Sequence, residues 1–255
     1  MSNITLICVS QNPTFMNLKP RFIDYQIVTI HEAGEYMNTL IETRAAMILI
    51  DGNHPDWKRF TTSPTTSPAT RRIPIIVVSD DAQLRASALL IGADLSFSLV
   101  DIEKQIVGLV KDYGRIPDPT VLEQLDCECD EPLPQLAIEG VKKFNAGEYY
   151  PQHDLFEEQW VNTEGPVRDL YRAVLQVGVA YFQIERGNYH GALKMLQRSV
   201  QWLMMLPDRC QGIDVAQLRQ DSFAVRAELE RLGADRLDEL DHQLLKPVVW
   251  IEKLE

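Results

Sequence analysis

Within residues 144–160, FNAGEYYPQHDLFEEQW, a histidine, three carboxylates and a tryptophan fall close together: His153, Asp154, Glu157, Glu158 and Trp160. On a helix, His153, Glu157 and Trp160 stand at i, i+4 and i+7 and share one face, with Asp154 and Glu158 as a second i, i+4 pair beside them. An imidazole with carboxylates one turn away can ligate a divalent metal or work as an acid–base pair. The usual zinc helix carries two histidines at i, i+4, and this stretch carries one, which argues against a zinc hydrolase. Downstream, Arg168, Arg172 and Gln176 recur every four residues and line one face of the next helical stretch. Antiparallel packing would bring Glu157 and Glu158 to Arg168 or Arg172, and His153 toward Gln176 or Tyr181, as a polar seam between two helices. Three uses compete for this face: a structural network, a groove for a partner or small ligand, and a small metal-dependent or acid–base hydrolase site centred on His153 and Glu157.

A second constellation lies in the first half. Asp51 ends the apolar run AMILID (46–51) and is followed by Gly52; Ser79 ends IPIIVVS (73–79). These runs, with ITLICV (4–9), QIVTI (26–30) and LSFSL (95–99), are rich in Ile, Val and Leu on both faces, as buried parallel strands are. Segments 31–44, 82–92 and 102–114 between them show helical period. The alternation predicts an α/β domain with a five-stranded doubly wound parallel sheet. TTSPTTSPATRR (61–72) reads as a mobile loop replacing most of a helix.

This half, residues 1–116, resembles a response-regulator receiver domain of flavodoxin-like fold. The resemblance rests on Asp51-Gly52 at the phospho-acceptor position, Ser79 at the position of the hydroxyl that senses the phosphoryl group, and GADLSFSLV (92–100), which is similar to the family's Gly-Ala-Asp-Asp-Tyr-Leu-x-Lys-Pro run. The departures change what it implies. Where receivers carry acidic residues that hold magnesium, this chain has Ser10-Gln11-Asn12; where they carry a lysine, it has Leu99, and the following proline is Val100. Phosphoryl transfer to a carboxylate needs the metal and the lysine to offset accumulating negative charge. The pocket of Asp51, Ser79, Ser10, Gln11 and Leu99 is therefore read as vestigial, in a pseudo-receiver that serves docking or dimerisation. The competing expectation is a phosphorylatable response regulator with a helical output domain.

Residues 117–134, PDPTVLEQLDCECDEPLP, hold four prolines and six acidic residues with no base, and read as an extended, semi-rigid linker in which VLEQL makes at most one turn. From residue 135 on, the pattern is helical, with stretches at 136–147, 150–162, 163–188, 189–206 and 214–233 joined by short turns, and no strand is expected before an extended VVWI (248–251). This predicts an all-α antiparallel bundle of about five helices over 135–255. The Phe-Asn-x-Gly-x-Tyr lead-in at 144–149, the His153-to-Trp160 helix, Arg172 and Gln176 on the central helix, and the Arg186-Gly187-Asn188 turn with Gly191-Ala192 resemble the helical family catalogued as domain-of-unknown-function family 309. That resemblance implies a compact helical fold and no particular reaction.

Net charge is −12, uneven along the chain: −2 over residues 1–118 and −10 over 119–255. This disfavours nonspecific nucleic-acid binding, which needs a basic surface. No long uncharged apolar run suggests a membrane span. The opening MSNITLICVSQNP lacks a basic stretch before its apolar residues, and the four cysteines (Cys8, Cys127, Cys129, Cys210) show no metal spacing. The expectation is a reduced, cytoplasmic, non-catalytic signalling or scaffold protein. It takes no cofactor or metal, and its partners are proteins, a second copy through the receiver-like domain among them.

Overall fold

A computed structural model describes residues 4–12, 15, 25–67 and 69–251. The chain divides into two compact units, one ending at Ile116 and the other beginning at Pro117.

In the first unit, strands β1 (Thr5–Val9), β2 (Gln26–Ile30), β3 (Met47–Asp51), β4 (Ile75–Val78) and β5 (Leu95–Phe97) form one sheet in the order β2-β1-β3-β4-β5. Every pairing is parallel. This is the flavodoxin-like order, whose ligand crevice lies at the carboxyl ends of β1 and β3, where the strand order reverses. Alternate residues of each strand feed opposite faces. Ile7, Val9, Ile48, Ile50, Ile75 and Val77 pack against helices α1 (Tyr36–Glu42), α2 (Trp57–Thr66) and α3 (Ala82–Ile91). Leu6, Cys8, Met47, Leu49, Ile76 and Val78 pack against α4 (Leu99–Tyr113). Both faces being covered is why the strands read as continuous apolar runs.

Two local expectations are corrected here. The Ser/Thr/Pro segment is largely helical, since α2 runs to Thr66 with Pro64 inside it. Its buried residues Trp57, Phe60, Thr61 and Pro64 follow helical period. The Thr61 hydroxyl donates to the Trp57 carbonyl at 2.8 Å, and the Thr65 and Thr66 hydroxyls to the carbonyls of Thr62 (2.7 Å) and Ser63 (2.8 Å). Such back-bonding lets threonines sit in a helix despite their turn preference. Pro68 lies outside the described residues. Leu99, placed by sequence at a strand end, instead opens α4, which Ser98 caps by accepting from the Asp101 amide.

The second unit is helical: α5 (Pro119–Cys129), α6 (Gln135–Asn145), α7 (Tyr149–Asn162), α8 (Arg168–Glu185), α9 (Tyr189–Leu203) and α10 (Val215–Leu232). From α6 on, each helix packs on its successor, and the short connections make neighbours antiparallel. α8 is central and buried along most of its length. The turns α6–α7 and α8–α9 are repeats of one another, forty residues apart. Each has a left-handed glycine, Gly147 (φ 75°) and Gly187 (φ 69°), then a helix opening on Tyr149 or Tyr189. Burial pushes the phenols of this core up: Tyr171 to about 12, and Tyr181 higher still, with Asp221 and Tyr149 adding to the effect.

The expected linker is α5, a helix of three turns. Asp118 caps it, accepting from the Thr120 amide at 2.9 Å, and Pro119 occupies the first turn, where its missing N–H costs nothing. Leu125 and Cys129 enter the helical core, and Cys129 forms a disulfide with Cys210, which corrects the expectation of four reduced thiols. Cys210 belongs to a second unexpected element, a hairpin of β6 (Arg209–Cys210) and β7 (Ile213–Asp214) turning through Gln211 (φ 50°) and Gly212 (φ 81°). Trp250 of the VVWI segment bridges to Ile213. Among the described residues no helix is long and apolar enough to cross a membrane.

Candidate functional site

The crevice predicted by the strand order holds Asn12, Phe15, Asp51, Asn53, Val78, Ser79, Asp80 and Leu99 around a volume of about 30 Å³. That is room for one or two water molecules. Asp51 is 3% exposed, and both its oxygens are occupied. Oδ2 accepts from the Ser10 hydroxyl at 2.8 Å and Oδ1 from the Asn53 amide at 2.9 Å. The Ser79 hydroxyl accepts from the Asp81 amide at 3.2 Å, and Asp80 accepts from the Leu99 amide at 3.0 Å. The Gln11 amide group reaches the His31 carbonyl at 3.4 Å.

Two histidines tighten the same edge. His31 Nδ1 lies 2.8 Å from the Ser10 carbonyl, so it is the protonated ring nitrogen. The buried His54 accepts from the Asp56 amide at Nδ1 (3.1 Å), which leaves the proton on Nε2 to be donated to the His31 carbonyl at 3.1 Å. Gly52 sits where a Cβ would fall 2.8 Å from both Ser79 Cβ and a Leu84 methyl, so β3 and β4 close tightly at their ends. The Asp51 carboxylate and the Ser79 hydroxyl are thus both engaged in hydrogen bonds, and apolar Leu99 lines the same crevice.

In the helical unit the expected polar face divides in two. His153 Nδ1 pairs with its neighbour Asp154 at 3.0 Å, and its ring stacks on Tyr150 with centroids 6.4 Å apart. It reaches neither Gln176 nor Tyr181. Glu157 and Glu158 are exposed and pair with no arginine, which corrects the predicted carboxylate–arginine seam. Helical phase explains the miss. Tyr149, Gln152 and Phe156 are the α7 residues buried toward the core, so Glu157 and Glu158 are turned outward. Asp154 instead borders a shallow surface groove of about 520 Å³ between α6 and α7, lined also by Glu139, Lys142, Lys143, Pro151 and Leu155. Among the described residues no three His, Cys, Asp or Glu side chains gather as a metal site would require.

The arginines go to the tryptophans. The Arg172 guanidinium lies 4.4 Å from the Trp160 ring and 5.0 Å from the Trp202 ring, and the Arg168 guanidinium lies 5.5 Å from Trp160. α7 ends, α8 begins and α9 ends at this end of the bundle, which is why these side chains converge. Arg172 also meets Asp169 at 3.4 Å. Gln176 is 7% exposed, and its Oε1 has no hydrogen-bond partner. Trp202 reads as packing in the sequence. The signal that points to it is the i, i+7 spacing of Met195 and Trp202 on α9, opposite Arg172 in an antiparallel pair.

A family profile described as Domain of unknown function (DUF309) matches residues 137–195, which span α6, α7, α8 and the start of α9. Among solved structures, the chain is similar to the phosphorylated cyanobacterial phytochrome response regulator RcpA. The identity is 16%, the match covers 44% of this chain and 94% of that one, and the TM-score is 0.36. No curated protein matches the chain.

Proposed function

We propose that this is a non-catalytic signalling or scaffold protein whose receiver-like unit works by protein contact instead of phosphoryl transfer, and whose helical unit is a binding module. The observation that carries this reading is the closure of the Asp51 crevice. The carboxylate has both oxygens hydrogen-bonded, the cavity is about 30 Å³, and Leu99 replaces the charge-neutralising lysine. A surface suited to protein contact lies on the same unit. Leu89 (50% exposed) and Leu90 (88%) on α3, with Val100 (59%) and Val107 (52%) on α4, flank the edge strand β5. Apolar side chains exposed together on neighbouring elements mark interaction surfaces.

Analytical ultracentrifugation of the native chain tests this. The expected result is self-association that Leu90→Asp with Val107→Asp abolishes, and that Mg²⁺ with a small phosphodonor leaves unchanged. Self-association that appears only with the phosphodonor would overturn the reading in favour of a working response regulator.

A further inference from the structure

We infer that α5 is a redox-controlled strap on the helical unit: the Cys129–Cys210 disulfide fastens it across the start of α8, and reduction by a dithiol releases it. The strap does not depend on what the helical unit binds. Apart from the disulfide, α5 has little to hold it. Leu125 and Cys129 are its buried residues, and the rest of Pro119–Cys129 is exposed or half-buried. A helix of 11 residues that buries so little apolar surface is marginal by itself. Its segment, residues 117–134, also brings six acidic side chains and no base to a unit whose net charge over residues 119–255 is −10. Like charges favour its departure once the covalent link is gone.

The seat of the strap is specific on both sides. The Glu128 carboxylate accepts from the Val167 amide at 2.9 Å, just before α8. Gly165 lies where a Cβ would overlap that carboxylate, so the chain entering α8 leaves room for it. On the other side, the Gln211 amide donates to the Cys129 carbonyl at 2.7 Å and Gln211 Nε2 to the Glu128 carbonyl at 3.2 Å. Gln211 makes these bonds with φ at 50°, a left-handed conformation unfavourable for a residue with a Cβ. Release of α5 removes both bonds that favour it. Oxidised and reduced chains therefore present different surfaces at the start of α8 and at the β6–β7 turn.

The chemistry is thiol–disulfide exchange. Cys129 is 5% exposed and Cys210 1%, so a reductant reaches the sulfurs when α5 frays. One thiolate of the dithiol attacks Cys129 Sγ, and the Cys210 thiolate leaves and takes up a proton. The second thiolate of the dithiol then attacks the reductant sulfur of this mixed disulfide and expels the Cys129 thiolate, which is protonated in turn. Two electrons and two protons pass from the dithiol to the protein, which ends with two thiols while the reductant ends as a disulfide.

Hydrogen–deuterium exchange of the full chain, with and without dithiothreitol, tests the strap, and intact mass after alkylation reads whether the bond has opened. The expected result is that reduction strips protection from peptides spanning α5 and speeds exchange across residues 209–214, while α8 stays protected. The double variant Cys129→Ser with Cys210→Ser should show an unprotected α5 with or without reductant. Cys127→Ser, which removes only the exposed thiol of α5, should respond to reductant as the native chain does. An α5 that stays as protected as α8 after reduction overturns the strap. Loss of protection through α8 as well overturns it too, because the bond would then support the whole unit. A bond that dithiothreitol leaves closed in the folded chain overturns the redox control.

Discussion

Breaking the Cys129–Cys210 bond lowers the unfolding free energy of the helical unit by about 4 kcal/mol. The bond spans 81 residues of sequence, and in the chain-entropy account a cross-link over a loop of that size removes much of the freedom of the unfolded chain. It also anchors a set of contacts that hold α5 in place. The Gln211 amide donates to the Cys129 carbonyl at 2.7 Å, Gln211 Nε2 donates to the Glu128 carbonyl at 3.2 Å, and the Tyr171 hydroxyl donates to Gln211 Oε1 at 2.8 Å. Denaturant unfolding monitored by tryptophan fluorescence, with and without reductant, gives the value. Three tryptophans, Trp160, Trp202 and Trp250, report on the helical unit and Trp57 on the other. The double variant Cys129→Ser with Cys210→Ser should unfold at the reduced protein's lower midpoint and ignore reductant. A native midpoint in that variant would mean that the hydrogen bonds and Leu125 hold α5 unaided.

Phe156→Ala should cost about 3 to 5 kcal/mol, an effect of similar size. Phe156 is fully buried on α7 and lies against the backbone of Gly140 on α6, where a Cβ would fall 2.7 Å from the ring. Truncating the ring opens a cavity between two helices whose approach depends on that glycine. The geometry makes the two positions interdependent. Gly140→Val alone should destabilise by about 1 to 3 kcal/mol through overpacking. Combined with Phe156→Ala it should be less harmful than the sum, because the added methyls enter the space the ring leaves. Thermal or denaturant unfolding of the four proteins completes the cycle. Additive losses would show that α6 and α7 move apart freely and that the close contact is not what sets their packing.

The α/β alternation was legible because strands buried on both faces leave continuous apolar runs, as in AMILID and IPIIVV. The helices from α6 to α10 were legible for a different reason: glycine and asparagine punctuate them, and Gly147 and Gly187 do sit in the left-handed region. What escaped was structure that depends on long-range partners. Nothing local in DCECDEP announces a helix, and α5 is secured by Cys210 and Gln211, far away in sequence. The Ser/Thr/Pro run hid a helix because its composition favours turns, while only its buried residues 57, 60, 61 and 64 keep helical period. At the candidate site, residue types were found and pairings were not. His153 to Glu158 and Arg168 to Gln176 do lie on adjacent helices, yet the rotation of α7 sends Trp160, and not the glutamates, to the arginines. Only packing fixes that rotation, and one sequence carries no direct record of it.

The central claim is that the receiver-like unit has no phosphoryl chemistry at Asp51. Incubating the native chain with acetyl phosphate and Mg²⁺, then recording its intact mass beside that of Asp51→Asn, tests it most directly. Ser10 and Asn53 hold the carboxylate in a crevice that lacks the lysine, so the mass should be unchanged in both proteins. A single phosphoryl adduct on the native chain that is absent from Asp51→Asn would contradict the account.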